Sequence, residues 1–267
     1  MFFHPYKMLI KWIVGLMVFL STMAVLGQNT ENPAMPGFNQ SGSDARAIEI
    51  ADEVMKAMGG RKNWDNTRHI TWNFFGIRTH VWDKWSGDYR LKADSLLVLM
   101  NLNTQKGRAW INGREVSDPS KLTDILKKAT SIWINDSYWM FMPYKLKDSG
   151  VTLKYQGEGT LEDGRACDIL QLTFENVGDT PQNRYLIYVS KKRRLVEQWS
   201  YFANASDAKP RFTTPWKNWR RYGKILLSND RGKRKHSHIA VFDHLPAKVY
   251  QSSEPIDVMQ YNIDTQN

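Results

Sequence analysis

From Arg68 onward the chain is written largely in period two, and that property excludes most helical folds. In Ile70-Thr71-Trp72-Asn73-Phe74 apolar and polar side chains alternate, so Ile70, Trp72 and Phe74 share one strand face. Residues 79–85 and 89–93 read as two more strands around the turn Ser86-Gly87-Asp88. Residues 96–102 are apolar on both faces, including Leu97 and Leu99, which places that strand centrally. Residues 108–111 run into Asn112-Gly113, a strong hairpin signal. After residue 150 the alternation returns. Val151, Leu153 and Tyr155 share a face, as do Leu170, Leu172 and Phe174. Residues 185–189 and 195–201 pair across the basic turn Lys191-Lys192-Arg193-Arg194, and residues 224–227 and 238–242 close the series. Gly157-Glu158-Gly159 reads as a hairpin turn, since it lacks the third glycine and following helix of a phosphate loop.

Two stretches carry the helical period instead. Ala47, Ile50, Ala51, Val54, Met55 and Met58 make one apolar stripe, with Ser43 or Asp44 as cap and Gly59-Gly60 as stop. Asp118-Pro119 opens a second helix with Leu122, Ile125, Leu126, Ala129, Ile132 and Trp133 on one face. The apolar run Ser137-Tyr138-Trp139-Met140-Phe141-Met142 continues from it until Pro143. About ten short antiparallel strands in sequence do not stay flat. The expected fold is mainly β (α+β): a strongly curved antiparallel sheet or unclosed β-barrel with helices covering the open side.

The first residues set the expected compartment. Lys7 and Lys11 precede an apolar run from Ile13 to Leu26, and Val25-Leu26-Gly27 ends it on a small residue. Basic, apolar, small is the order of a secretory signal, and the run is short for a bilayer span of about 20 residues. Residues 1–27 are therefore expected to be a signal peptide, 28–42 a linker rich in Asn, Pro, Gly and Ser, and 43–267 one domain, periplasmic and soluble after cleavage. Cys167 is the only cysteine, which excludes a disulfide and leaves no N-terminal thiol for a lipid. With 37 basic and 27 acidic residues the chain carries a net +10. Nucleic acid is a poor partner for an exported protein. An anionic membrane surface or an acidic carrier fits the charge, and solvated turns and protected strand edges fit it too.

Catalytic motifs are missing. Of the histidines past the leader, His69, His80, His236, His238 and His244, none has a ligand set at zinc spacing. His236 and His238 read as exposed edge residues beside a basic run that repels cations. There is no GxSxG elbow, and Asp83 and Asp88 read as strand-end and turn residues. No cofactor, metal site or catalytic constellation is expected. What stands out is 11 Trp, 11 Tyr and 11 Phe. Aromatics on strands build either a dense core or the wall of an apolar cavity.

Several segments carry a family resemblance: Trp64-Asp65-Asn66, Trp82-Asp83-Lys84-Trp85 with Gly87-Asp88-Tyr89-Arg90, and the specific run Tyr138-Trp139-Met140-Phe141-Met142-Pro143-Tyr144-Lys145-Leu146-Lys147-Asp148. Together with Leu172-Thr173-Phe174-Glu175-Asn176-Val177-Gly178-Asp179-Thr180-Pro181, they resemble a family of exported bacterial proteins of unknown function, itself similar to the LolA/LolB-like lipoprotein carriers. The resemblance implies an unclosed barrel with a helical lid over a cavity for acyl chains, and no catalytic residue. The expected function is non-catalytic: a carrier or sensor holding a lipid or other amphiphile. Candidate ligand-binding residues are Trp72, Phe74, Leu97, Leu99, Trp133, Trp139, Met142, Leu170, Leu172, Phe174, Trp199 and Tyr201. The alternatives are a structural or interaction protein with a filled barrel, and a hydrolase using an unrecognised site around His80 or Asp83. An empty apolar space of several hundred cubic ångströms favours the carrier.

N-terminal sequencing of the mature protein should return Gln28 or a residue within a few positions of it. An intact Met1 in the envelope fraction would remove the basis for export.

Overall fold

The computed structural model describes residues 31–261; the expected leader and the first residues of the linker lie outside the described residues. Fourteen strands occur there, all antiparallel. Strands β1 (His69–Phe74), β2 (Arg78–Asp83), β3 (Asp88–Ala93), β4 (Leu96–Asn101), β5 (Lys106–Ile111) and β6 (Arg114–Glu115) form a meander. β14 (Ser237–Phe242) joins its far edge, giving a seven-stranded sheet in the order β14-β1-β2-β3-β4-β5-β6. The second sheet has β7 (Val151–Thr160), β8 (Ala166–Phe174), β9 (Arg184–Ser190), β10 (Val196–Phe202) and β11 (Phe212–Pro215) in the order β11-β10-β9-β8-β7. β12 (Lys217–Tyr222) and β13 (Ile225–Asp230) form a separate hairpin. The sheets do not close into a barrel.

Helix α1 (Ala45–Ala57) is followed by the short α2 (Arg61–Asn66), and α1 buries the expected stripe, Ala47 to Met58, in the main core. Its cap differs from expectation. Asp44 stands at the N-cap position, but its carboxylate accepts from Tyr155 N (2.9 Å) and Lys154 Nζ (3.0 Å). Ser43 Oγ likewise accepts from Leu153 N (2.9 Å). Both side chains tie the chain to β7 because that strand is a sheet edge with free amides. The described part of the expected linker lies along the same edge, with Asn39 N donating to Val151 O at 3.0 Å.

The long helix α3 (Pro119–Phe141) starts where Asp118 accepts from Lys121 N at 2.7 Å. Its first half buries Leu126 and Ala129 against Tyr89, Leu91, Val98, Met100 and Ala109, with Leu122, Ile125, Ile132 and Trp133 half-buried around them. Its second half sinks Met140 and Phe141 into the main core with Trp72, Leu153, Leu170, Leu172, Ile187 and Trp199. One helix thus covers both sheets. At the crossover it carries a charge, Asp136, which is fully buried. Arg78 of β2 donates to both carboxylate oxygens (2.7 and 2.9 Å), and His80 Nε2 lies 3.0 Å away. His80 stacks on Trp72 (4.4 Å) and its Nδ1 meets Tyr89 Oη at 2.7 Å.

Two local expectations are corrected. Gly157-Glu158-Gly159 is not a hairpin turn; it lies inside β7, where the pairing with β8 slips between Tyr155 and Glu158. Gly157 takes φ +96°, the left-handed region that lets one extra residue enter the strand as a bulge. His236 is not an exposed edge residue: it is 1% exposed, against Phe75 (4.6 Å) and Phe74 (5.5 Å), with neither ring nitrogen well partnered. Its amide donates to Asn229 O (2.8 Å), which folds the 231–236 segment back and turns the ring inward. His238 is exposed.

Burial, together with the nearby Arg231 cation, lowers the His236 pKa to about 3, and burial also lowers that of His80. The unfolded chain takes up these protons near pH 6.5, whereas the folded chain takes them up only at lower pH, about 3 for His236. Stability present above pH 6.5 should therefore be lost as pH falls, with His236 contributing about 2 kcal/mol of that loss by pH 5. Urea midpoints measured from pH 7.5 to 4.5 should decline, and more shallowly in His236→Leu.

Candidate functional site

A cleft of about 690 Å³ opens between the second half of α3 and the inner face of the five-stranded sheet. Period two builds its sheet wall. Tyr185 and Tyr201 are cross-strand partners on β9 and β10, and Trp199 lies two residues before Tyr201 on the same face. A bulge between Val196 and Gln198 lets Glu197 turn out to Arg193 (3.0 Å) while Val196 and Trp199 both face the core. Phe174 ends β8 at the rim, and Phe212 of β11 closes the other side.

Helix α3 supplies Trp133, Tyr138 and Trp139. Trp139 meets Trp199 edge-on at 4.9 Å and stacks on Phe212 at 5.6 Å. Tyr138 lies 5.4 Å from Tyr185, which stacks on Trp199 at 4.9 Å, and Tyr201 reaches Phe212 at 5.1 Å. The wall is one connected aromatic surface. Rings held by their neighbours lose little further rotamer freedom when a ligand arrives.

Polar groups gather at one end. The segments 145–149 and 177–183 contribute an ion pair between Lys145 and Asp148, the hydroxyls of Ser149 and Thr180, and a buried Asn183. Asn183 Nδ2 donates to Thr180 Oγ1 at 2.6 Å. Burial pushes the Tyr138 hydroxyl pKa well above its usual value, so it remains a donor, and it has no protein partner. The arrangement suits a molecule with an apolar body and a polar end.

Of the twelve candidate residues, Trp133, Trp139, Phe174 and Tyr201 are half-buried around this cleft, and Trp199, 1% exposed, lies in the wall behind Trp139 as part of the core. Trp72, Met142, Leu170 and Leu172 are packed in the core beneath it. Phe74 is also core, with Arg78 over its ring at 4.9 Å. Leu97 and Leu99 are on the wrong side altogether. They pack with Trp110 on the face of β4 that points away from α3, because only the alternate residues Val98 and Met100 face the helix. Tyr138, Tyr185 and Phe212 line the cleft without having been singled out. Tyr185 was accessible to pattern reading, since it continues the face of Ile187 and Val189; Phe212 sits in a strand that ends in Pro215 and shows no alternation.

The hydrolase alternative finds no support in its two residues. His80 is enclosed by Trp72, Tyr89 and Asp136, and Asp83 accepts from Trp85 N, Ser86 N and Arg68, a turn-capping arrangement. Among the described residues there is no cluster of three or more metal-ligating side chains. Nor is any helix among them long and apolar enough to cross a membrane.

No family model matches the chain, and no curated protein matches it. Solved structures do resemble it at low identity. A DUF1329 family protein from Desulfovibrio piger is 16% identical over 78% of this chain and 98% of its own, with a TM-score of 0.41. A domain described as that of an outer membrane lipoprotein-sorting protein from Vibrio parahaemolyticus is 8% identical over 77% and 96%, with a TM-score of 0.40. A LolA superfamily protein from Nitrosomonas europaea is 11% identical over 76% and 96%, with a TM-score of 0.31.

Tyr138→Phe should stabilise the ligand-free protein by about 1 kcal/mol, because it deletes a buried hydroxyl without a partner and keeps the ring contacts. Urea unfolding of the two proteins checks this. A lower midpoint in the variant would mean that the hydroxyl is bonded in solution.

Proposed function

We propose that this protein is a periplasmic, non-catalytic carrier or sensor that holds the apolar part of a lipid or other amphiphile in the cleft beneath α3. One observation carries the proposal: a connected aromatic wall bounds about 690 Å³ of open space, within the range of roughly 300–1,000 Å³ typical of ligand sites. An apolar chain laid along these rings would displace water from apolar surface, which favours binding. The polar end at Lys145, Ser149, Thr180 and Asn183 would then face a head group. Seven of the twelve residues first considered do not line the cleft, so the site is smaller than a fully hollow barrel and confined to one end of the second sheet. The filled-barrel alternative therefore describes much of the molecule, but not this end.

A fatty-acid series from eight to sixteen carbons, followed by tryptophan emission, tests the proposal. Binding should quench Trp139 and Trp199 and tighten with chain length, by at most about 0.8 kcal/mol per methylene. Phe212→Asp places a charge in the wall and should weaken the longer chains by at least tenfold, with folding verified by circular dichroism. Emission that stays flat over the series, with folded protein and no co-purified lipid, would leave the filled interior as the better account.

A further inference from the structure

Phe212 is 37% exposed at the mouth of the cleft, and Ile77 is 57% exposed in the turn between β1 and β2. These are two of four large apolar side chains with such exposure among the described residues. They belong to one end of the molecule. Phe75, in the same turn as Ile77, touches Trp139 at 5.6 Å, and Trp139 stacks on Phe212. The chain beside this mouth is basic: Lys209 and Arg211 flank Phe212, and Lys233, Arg234 and Lys235 follow Arg231, which bonds the Trp139 carbonyl. The nearby acid Asp230 is paired with Lys235 at 3.3 Å. Lys209, Arg211, Lys233, Arg234 and Lys235 are all exposed, and Arg234 lies over the Phe75 ring at 5.7 Å. The acids Glu175 and Asp179 lie in the β8–β9 connection, and Asp179 lines the cleft from that side.

We infer that the lip formed by the 75–77 turn, Phe212 and the basic residues at 209–211 and 233–235 docks on an anionic lipid bilayer, with Ile77 and Phe212 entering the interface and the cleft mouth beside it. Charge complementarity selects this occupant. Exposed Lys and Arg near an anionic surface each add attraction, and apolar tips between them gain by leaving water. An amphiphile could then move between bilayer and cleft without its chain crossing open water. The inference rests on the reading of the cleft as an amphiphile site, but the surface can be tested separately.

The mature protein, without the expected leader, is co-sedimented with phosphatidylcholine vesicles, with and without phosphatidylglycerol. It should pellet only with the anionic vesicles and be released in 1 M salt, where screening acts within about 3 Å. Ile77→Asp and Arg234→Glu should each weaken vesicle binding by about tenfold or more. Neither residue lines the cleft, so fatty-acid binding in solution should be unchanged. No pelleting of the unmodified protein, as expected for an acidic protein partner instead, would overturn the inference, as would variants that pellet like it. Vesicle binding that follows this pattern while fatty-acid binding fails would uphold the docking surface and remove the cleft reading alone.

Discussion

The contact on which the structure turns is the buried carboxylate of Asp136 against Arg78 and His80. It sits where α3 leaves the first sheet and enters the second, so it fixes both the depth and the rotation of the helix. Burial works against the charged carboxylate, but the close approach of His80 and the two hydrogen bonds from Arg78 outweigh it and hold its pKa below the usual range. A buried pair of this kind contributes little net stability over an apolar one, yet removing one partner costs about 3–5 kcal/mol. Its value here is placement. A helix held only by apolar contacts could slide along the sheet; one held by a bidentate arginine cannot do so without breaking directional bonds.

The far end of α3 is held by a second buried cation. Arg231 donates from Nη2 to the Trp139 carbonyl at 2.9 Å, lies 3.5 Å over the Trp216 ring, and bonds Ser228 Oγ at 2.9 Å, with no ion pair among the described residues. Trp139 is in the last turn of α3, where carbonyls lack intrahelical partners and the helix dipole favours positive charge. The helix end thus serves as part of the counter-charge for Arg231. Between the Asp136 anchor and the Arg231 anchor, the helix presents Tyr138 and Trp139 to the second sheet. The cleft is what remains open between two fixed surfaces.

This explains why an aromatic-rich interior is not simply collapsed. The rings of Trp139, Trp199, Tyr185 and Tyr201 brace one another through edge and stacked contacts, and α3 cannot move in to fill the gap. The polar groups of the 145–149 and 177–183 segments line one end, and basic residues border the mouth beside Phe212.

The sequence by itself determined the local elements. Alternation placed Ile70, Trp72 and Phe74 on one buried face, the stripe from Ala47 to Met58 gave α1, and Asp118-Pro119 gave the start of α3. Each follows from backbone geometry within a few residues, so nearby side chains carry the information. Tertiary structure alone decided which apolar faces meet and where packing stops. Leu97 and Trp199 carry the same kind of strand signal, yet one packs beneath the sheet on Trp110 and the other borders a cleft. His236 sits in a basic run that reads as surface, but a chain reversal at Asn229 buries it. An open space is a property of distances between elements far apart in sequence, here set by Asp136 and Arg231, and no local pattern records those distances.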